Sequence, residues 1–308
     1  MPRTLSVEPV SPALGAEIHG VDLETAAADP ALIAAIRQAL LRHKVIFFRD
    51  QDISAAAQVA FARSFGELEV HPVLRRHPEH AELVVLDRGS HRPANENIFH
   101  ADTTWRERPS MASILRCVEC PPVGGDTIWS NMVLAYERLP DRVKAMCEGL
   151  YAMHDIAHSF GGDYSPEKRR QLGREFPRQE HPVVAIHSET GEKILFVNQG
   201  FTTHFSNYTQ KRERSIGADF ALEANRLMDY LFAQAAQPEF QVRLRWKPNT
   251  IAFWDNRATQ HYAVQDYYPA VRRMLRATVI GGTVRGVGDA EAAPAALAPS
   301  RHAVEAVA

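Results

Sequence analysis

The chain has 308 residues, 45% hydrophobic and 23% charged, which is enough apolar material for a full core and the balance of an ordinary soluble globular protein. Lys and Arg number 35 against 37 Asp and Glu, a formal charge of -2, so no broad field draws the chain to nucleic acid or an anionic membrane; an anionic partner must be captured locally. The opening MPRTLSVEPV lacks a basic stretch followed by an apolar run, no eighteen apolar residues run together, and three cysteines are too few for a disulfide framework; a cytoplasmic protein without a membrane span is expected.

In chain order, Asp29 to Lys44 reads as a helix, with Asp29 as cap, Pro30 in the first turn and Ile33, Ile36 and Leu40 on one face. Apolar VIFFR (45–49) follows as a buried strand, and Ser54 to Phe65 as a second helix stopped by Gly66. Further strands are expected at LVVLD (83–87), MASILRCV (111–118), DTIW (126–129), PVVAIH (182–187), KILFV (193–197), VRLRW (242–246), TIAFWD (250–255) and RATVIGG (276–282). Cys117 and Cys120 have zinc-like spacing but no second pair, so they are read as strand packing. The longest helix is expected at about 217–236, where Phe220, Ala224, Leu227, Leu231 and Ala235 form one stripe.

Many short strands with few strand–helix–strand alternations point to a mainly β fold, an antiparallel double-sheet barrel with peripheral helices. Residues 1–284 are read as one domain. Residues 285–308, rich in Ala and Pro, are read as a mobile tail.

The chemistry centres on Phe99-His100-Ala101-Asp102. On a strand, His100 and Asp102 would share a face and could bind one ion. Alone, such a triplet among 14 histidines is more simply a pair of surface residues. A distant third ligand would complete the two-histidine, one-carboxylate face that suits ferrous iron and leaves positions open. His261, in WDNRATQHYA (254–263), is the candidate.

That segment resembles the second signature of the taurine dioxygenase family of iron(II) and 2-oxoglutarate oxygenases. SFGELEVHPV (64–73), FHADTTW (99–105), GGDTIW (124–129), EHPVV (180–184), LFVNQGFTT (195–203), PEFQVRLRWKPN (238–249) and RRMLRATVIGG (272–282) fall in family order, so the resemblance spans about Gly15 to Gly282. It implies a double-stranded β-helix, or jelly roll, with Fe(II) held by His100, Asp102 and His261, 2-oxoglutarate as co-substrate and O2 as oxidant.

The resemblance also places Arg272 and Thr127 on the remote carboxylate of 2-oxoglutarate, where a planar, permanently charged guanidinium is suited to a bidentate grip. Arg276 and His71 match the positions that face the substrate's anionic group. Taurine-cleaving members carry a tyrosine three residues after the histidine of HPV and an asparagine before the iron-binding histidine. This chain has Leu74 and, by ungapped matching, Glu96 there, with Asn95 and Asn97 flanking it. Thr103, Trp105, Phe160 and Phe205 suggest a partly apolar pocket. A small organic anion is implied, a taurine-like sulfonate first, with an aryloxyalkanoate or alkyl sulfate ester as alternatives. A non-catalytic metal-binding jelly-roll module and a zinc hydrolase remain rival classes, and homo-oligomerisation stays open.

Overall fold

The computed structural model describes residues 5–88, 97–162, 164–208 and 222–289. Strands β1 (Ser6–Pro9) and β2 (Ala16–His19) lead to α1 (Pro30–His43), β3 (Val45–Phe48), α2 (Ala55–Arg63), β4 (Leu83–Arg88), β5 (Ser110–Glu119) and β6 (Thr127–Asn131). Helices α3 (Met132–Glu137) and α4 (Asp141–Cys147) precede β7 (Tyr151–His154), α5 (Ile156–Phe160) and α6 (Pro166–Glu175). Strands β8 (Gln179–Pro182), β9 (Val184–Ile186), β10 (Lys193–Leu195) and β11 (Thr202–Phe205) follow, then α7 (Leu222–Ala233). The last strands are β12 (Gln241–Leu244), β13 (Ile251–Asp255), β14 (Thr259–Ala263), β15 (Arg272–Ile280) and β16 (Arg285–Gly286).

Seven strands form the main sheet in the order β1-β2-β3-β13-β5-β15-β4, antiparallel except for the parallel β2–β3 pair. Period-two alternation sorts its side chains into two cores. Ile46 and Phe48 on β3, Ile114 on β5, Phe253 on β13 and Val279 on β15 pack with Ile36 and Leu40 of α1 and Phe61 of α2. The opposite set, Val45, Phe47, Leu115, Trp254 and Met274, packs against Trp129, Val242 and Leu244 of the smaller sheet β12-β6-β14. Arg272 and Arg276 alternate in step with Met274 along β15 and so stand on this second, inter-sheet side.

Both early helices start as expected: Asp29 accepts from the N–H groups of Ala31 and Leu32, and Ser54 accepts from that of Ala57. In α1 the buried face is Ile36, Ala39 and Leu40, with Ile33 only partly covered. PVVAIH is two strands rather than one, because the chain changes partner at Val183: β8 pairs with β7 and β9 with β10. The last long strand begins at Arg272, four residues earlier than expected, which puts both candidate arginines on β15. Cys117 is fully buried in the inter-sheet core with Cys120 packed against it, as the strand reading required.

The expected long helix is α7 extended by a 3-10 turn over Gln234–Ala236, and its first five expected residues, 217–221, lie outside the described residues. Past the expected domain end at 284 the chain still makes contacts. Arg285 and Gly286 pair with Ile186 and Ala185, and Asp289 accepts from Tyr151 Oη and from the Gly286 N–H. Of the expected tail, residues 290–308 lie outside the described residues. No helix among the described residues is long and apolar enough to cross a membrane.

Candidate active site

His100 is not in a strand, as the same-face argument assumed, but in a single antiparallel bridge to His261 on β14. Its N–H donates to His261 O at 3.0 Å and its carbonyl oxygen accepts from the His261 N–H at 2.8 Å, which brings the two rings to a centroid distance of 4.1 Å. After Ala101 the chain leaves the bridge in a turn. Thr103 takes a left-handed φ of 55°, and its hydroxyl accepts from the Ser110 N–H. The turn, not a strand's pleat, returns the Asp102 carboxylate to the histidines.

Asn256 locks that turn from the far side, accepting from the Asp102 N–H through Oδ1 and donating through Nδ2 to Asp102 O. Gly200 makes a second fit necessary, because a Cβ there would stand 2.6 Å from His100 Cβ. One potential ligand atom from each of His100, Asp102 and His261 lies within 4.8 Å of the others, and among the described residues no other such group of His, Cys, Asp and Glu occurs.

The set suits a divalent cation electrostatically. Burial alone would push the Asp102 carboxyl up, but Arg276, the two histidines and a hydrogen bond from Ser113 Oγ outweigh it and hold the group ionised, below the usual carboxylate range. His100 Nδ1 faces Ile98 O at 3.0 Å, which fixes the tautomer and leaves Nε2 as a lone-pair donor. Burial and the neighbouring His100 keep His261 neutral, and its buried Nδ1 has no hydrogen-bond partner. Two imidazoles and one carboxylate are the donor set of an oxygen-activating iron site.

Arg272 and Thr127 meet as expected. Both are buried; Arg272 Nη2 donates to Thr127 Oγ1 at 3.1 Å and Nε to Gly125 O at 3.0 Å. Trp246 Nε1 also donates to Thr127 Oγ1 and lies under the guanidinium. Along β14–β6, Thr127 pairs with Ala263 and Trp129 with His261, so Thr127 stands two residues along the ladder, roughly 7 Å, from the position opposite His261.

Arg276 is buried on the same side of β15 and donates from Nη1 to Asp102 Oδ1 at 2.7 Å. His71 is buried in the loop before Leu74. Its Nδ1 accepts from the N–H groups of Val73 and Leu74, so the proton sits on Nε2. Burial, with Arg276 next, pushes its pKa down to about 3, making it a neutral donor near neutral pH.

The apolar residues divide. Phe160 packs in one cluster with Trp105, Phe201, Ile156 and Val73, and its ring is 5.6 Å from that of His71. Phe205 does not belong there: it packs in a separate core with Leu195 and Leu227 and stacks on Tyr208. The strand pairing of β11 with β7 turns it inward, and Phe201, 6.5 Å from the His100 ring, takes the place expected for it. Thr103 serves the turn rather than a pocket, Leu74 is half-buried and Asn97 exposed. Glu96 lies outside the described residues.

The sequence reading missed Ser113, Asn256, Glu69 and Phe201. Asn256 sits inside the recognised WDN segment and could have been found there. Ser113 is one small polar residue in an apolar strand, which carries no signal without the fold.

A family model described as taurine catabolism dioxygenase TauD, TfdA family, matches residues 6–278. The chain belongs to this family. A sulfate ester dioxygenase from Pseudomonas putida, named as alpha-ketoglutarate-dependent, is 36% identical over 92% of both chains. The crystal structure of a taurine dioxygenase from Burkholderia xenovorans superposes with a TM-score of 0.75 at 37% identity, covering 92% of this chain and 91% of that one. A structure titled AAD-2 in complex with Mn(II) and N-oxalylglycine gives a TM-score of 0.75 at 26% identity, covering 91% and 99%. The family member described here is therefore a 2-oxoglutarate-dependent dioxygenase that uses Fe(II) and O2, with the His100, Asp102 and His261 cluster fitting the metal.

Proposed function

We propose that this dioxygenase hydroxylates the carbon next to the anionic group of a small sulfo compound, an alkylsulfonate or an alkyl sulfate ester, within a jelly-roll barrel. The observation that carries the reading is the pair Arg276 and His71: a buried guanidinium and a neutral imidazole N–H at the edge of the metal cluster, beside the apolar Phe160, Val73 and Phe201. Fe(II), when bound, couples decarboxylation of 2-oxoglutarate to succinate and CO2 with insertion of one oxygen atom of O2 into the substrate C–H bond.

His100, Asp102 and His261 would hold the metal, with Ser113 and Asn256 keeping the carboxylate aimed. Arg272, with the Thr127 hydroxyl, binds the remote carboxylate, and the separation of roughly 7 Å along the strand suits a five-carbon diacid whose other end is at the metal. Arg276 and His71 orient the sulfo group, while Phe160, Phe201 and Val73 exclude water from the reacting carbon. The hydroxylated carbon then loses its substituent, giving an aldehyde with sulfite from a sulfonate or sulfate from an ester.

A taurine-like substrate is the first reading, supported by the likeness to a taurine dioxygenase. Leu74 favours a second, an alkyl sulfate or alkylsulfonate without an amine, because a half-buried isobutyl group in place of a phenol offers nothing polar to an ammonium. The likeness to a sulfate ester dioxygenase supports it as well. The test is succinate release with Fe(II) on taurine, hexanesulfonate, hexyl sulfate and 2,4-dichlorophenoxyacetate, with sulfite and sulfate counted against succinate. Turnover confined to the carboxylate would overturn the sulfo reading.

A further inference from the structure

Asp102 is held so that its two carboxylate oxygens have different duties. Oδ2 accepts from Ser113 Oγ at 2.9 Å, and both main-chain polar groups are bonded to Asn256, so the carboxylate is not free to swing. Oδ1 is the oxygen turned toward the histidines, 3.9 Å from His100 Nε2. The same Oδ1 accepts from Arg276 Nη1 at 2.7 Å. One buried oxygen thus faces two cationic claimants, a guanidinium and a divalent metal.

We infer that Arg276 and the metal compete for Asp102 Oδ1, so that metal binding displaces the Arg276 guanidinium and makes it available to an external anion. The competition follows from charge alone. Sharing the oxygen would hold a divalent ion and a guanidinium side by side in a buried site, where their repulsion is poorly screened. Displacement in turn leaves a buried cation in need of a counter-charge. Glu69, the other buried carboxylate whose charge acts on Arg276, is already charge-paired with Arg106, whose Nε and Nη2 both reach its Oε1 at 2.6 Å. Arg276 Nε has no hydrogen-bond partner even while Nη1 holds Asp102.

A displaced Arg276 therefore creates affinity for an anion at the moment the metal arrives, and by reciprocity the anion tightens the metal. Only the destination of the guanidinium rests on the substrate role proposed above; the competition does not. Before the metal binds, Arg276 acts as the counter-ion that lets Asp102 stay ionised in the core.

The test uses Mn(II) binding to the full chain, read from the EPR signal of the free ion, with thermal unfolding of the same samples. Arg276→Met should tighten Mn(II) binding by about tenfold or more, within the usual range of coupling between sites. Arg276→Gln, which keeps a neutral donor against Asp102, should tighten it less. Arg272→Met removes an equally buried charge not bonded to Asp102, and should change Mn(II) affinity by much less than Arg276→Met. Without metal, Arg276→Met should unfold at lower temperature than wild type, and saturating Mn(II) should close most of that gap. Unchanged or weaker Mn(II) binding in both Arg276 variants, or a gap that persists at saturation, would overturn the inference. Absence of Mn(II) binding to the wild-type chain would overturn the metal reading and the inference with it.

Discussion

Replacing Arg272 by glutamine tests the co-substrate anchor most directly. Arg272 is only 7% exposed and its guanidinium is fixed by Gly125 O and Thr127 Oγ1, so a carboxylate meeting it there would be largely desolvated. Truncating one partner of such a pair costs about 2 to 5 kcal/mol, which at about 1.4 kcal/mol per tenfold raises the required 2-oxoglutarate roughly thirtyfold to a few thousandfold. Glutamine can still donate to Thr127, so the lower half of that range is expected. Lysine should not rescue, because it keeps the charge but not the planar fork that spans Gly125 O and Thr127. Initial succinate formation against 2-oxoglutarate, at saturating iron and substrate, gives the apparent KM, and near-ultraviolet circular dichroism checks folding. The substrate KM should move far less. A folded Arg272→Gln protein with wild-type dependence on 2-oxoglutarate would refute the anchor and the strand-spacing argument together.

His261→Ala should abolish succinate formation while leaving the far-ultraviolet spectrum intact, because it removes one of three clustered ligands; near wild-type turnover would sink the iron site. At saturating iron, Arg276→Ala and His71→Ala should lose substrate-stimulated turnover yet keep the anaerobic absorption band of bound iron and 2-oxoglutarate; loss of that band in Arg276→Ala would mean the two arginine roles are exchanged. Leu74→Tyr should shift the ratio of taurine to hexyl sulfate turnover toward taurine, and an unchanged ratio would remove Leu74 from the substrate wall. His71, pushed down to about 3 chiefly by burial, and His154 and His181, lowered for the same reason, stay neutral in the fold, whereas the unfolded chain takes up protons below about 6.5. Stability should therefore fall as pH drops from about 6.5 toward 4, by about 1.4 kcal/mol per pH unit for His71, with His154 and His181 adding in the same direction. Urea unfolding at several pH values should show a shallower slope in His154→Gln; an identical slope would refute the assignment.

The strand-forming segments were legible because their apolar runs are long for their length: VIFF is buried at all four positions, and in β12 alternation leaves Arg243 exposed between Val242 and Leu244. The early helices were legible from caps that the structure uses as read. Helices α3 to α6 were not, because they are only five to ten residues long; α3, MVLAYE, is apolar along almost its whole length and α6, PEKRRQLGRE, buries Leu172 alone, so neither presents a stripe to detect. The ligands were legible as residue types at motif positions, but the reason they converge was not. That reason is a positive φ at Thr103 and a bridge between residues 161 positions apart, and neither leaves a mark in local sequence. Phe205 was misplaced and Phe201 overlooked because the two phenylalanines lie four residues apart, Phe201 inside LFVNQGFTT and Phe205 just past it, and only the pairing of β11 with β7 separates their surroundings.

Strand β6 pairs on one edge with β12 and on the other with β14, and it carries Thr127 two positions from the residue opposite His261. On the proposed co-substrate site, it works as a gauge block between the two ends of 2-oxoglutarate. A one-residue slip of β6 against β14 would turn Thr127 to the other face, and a two-residue slip would restore the face but miss the reach by roughly 7 Å. Length changes anywhere from Thr127 to Asn131 should thus be forbidden however well the chain folds. Changes in the connection between β14 and β15 face a different constraint, because Arg272 is set by its own ladder to β4. A lineage seeking longer co-substrates or inhibitors could not get there by single substitutions at the anchors; it would have to re-register a whole ladder.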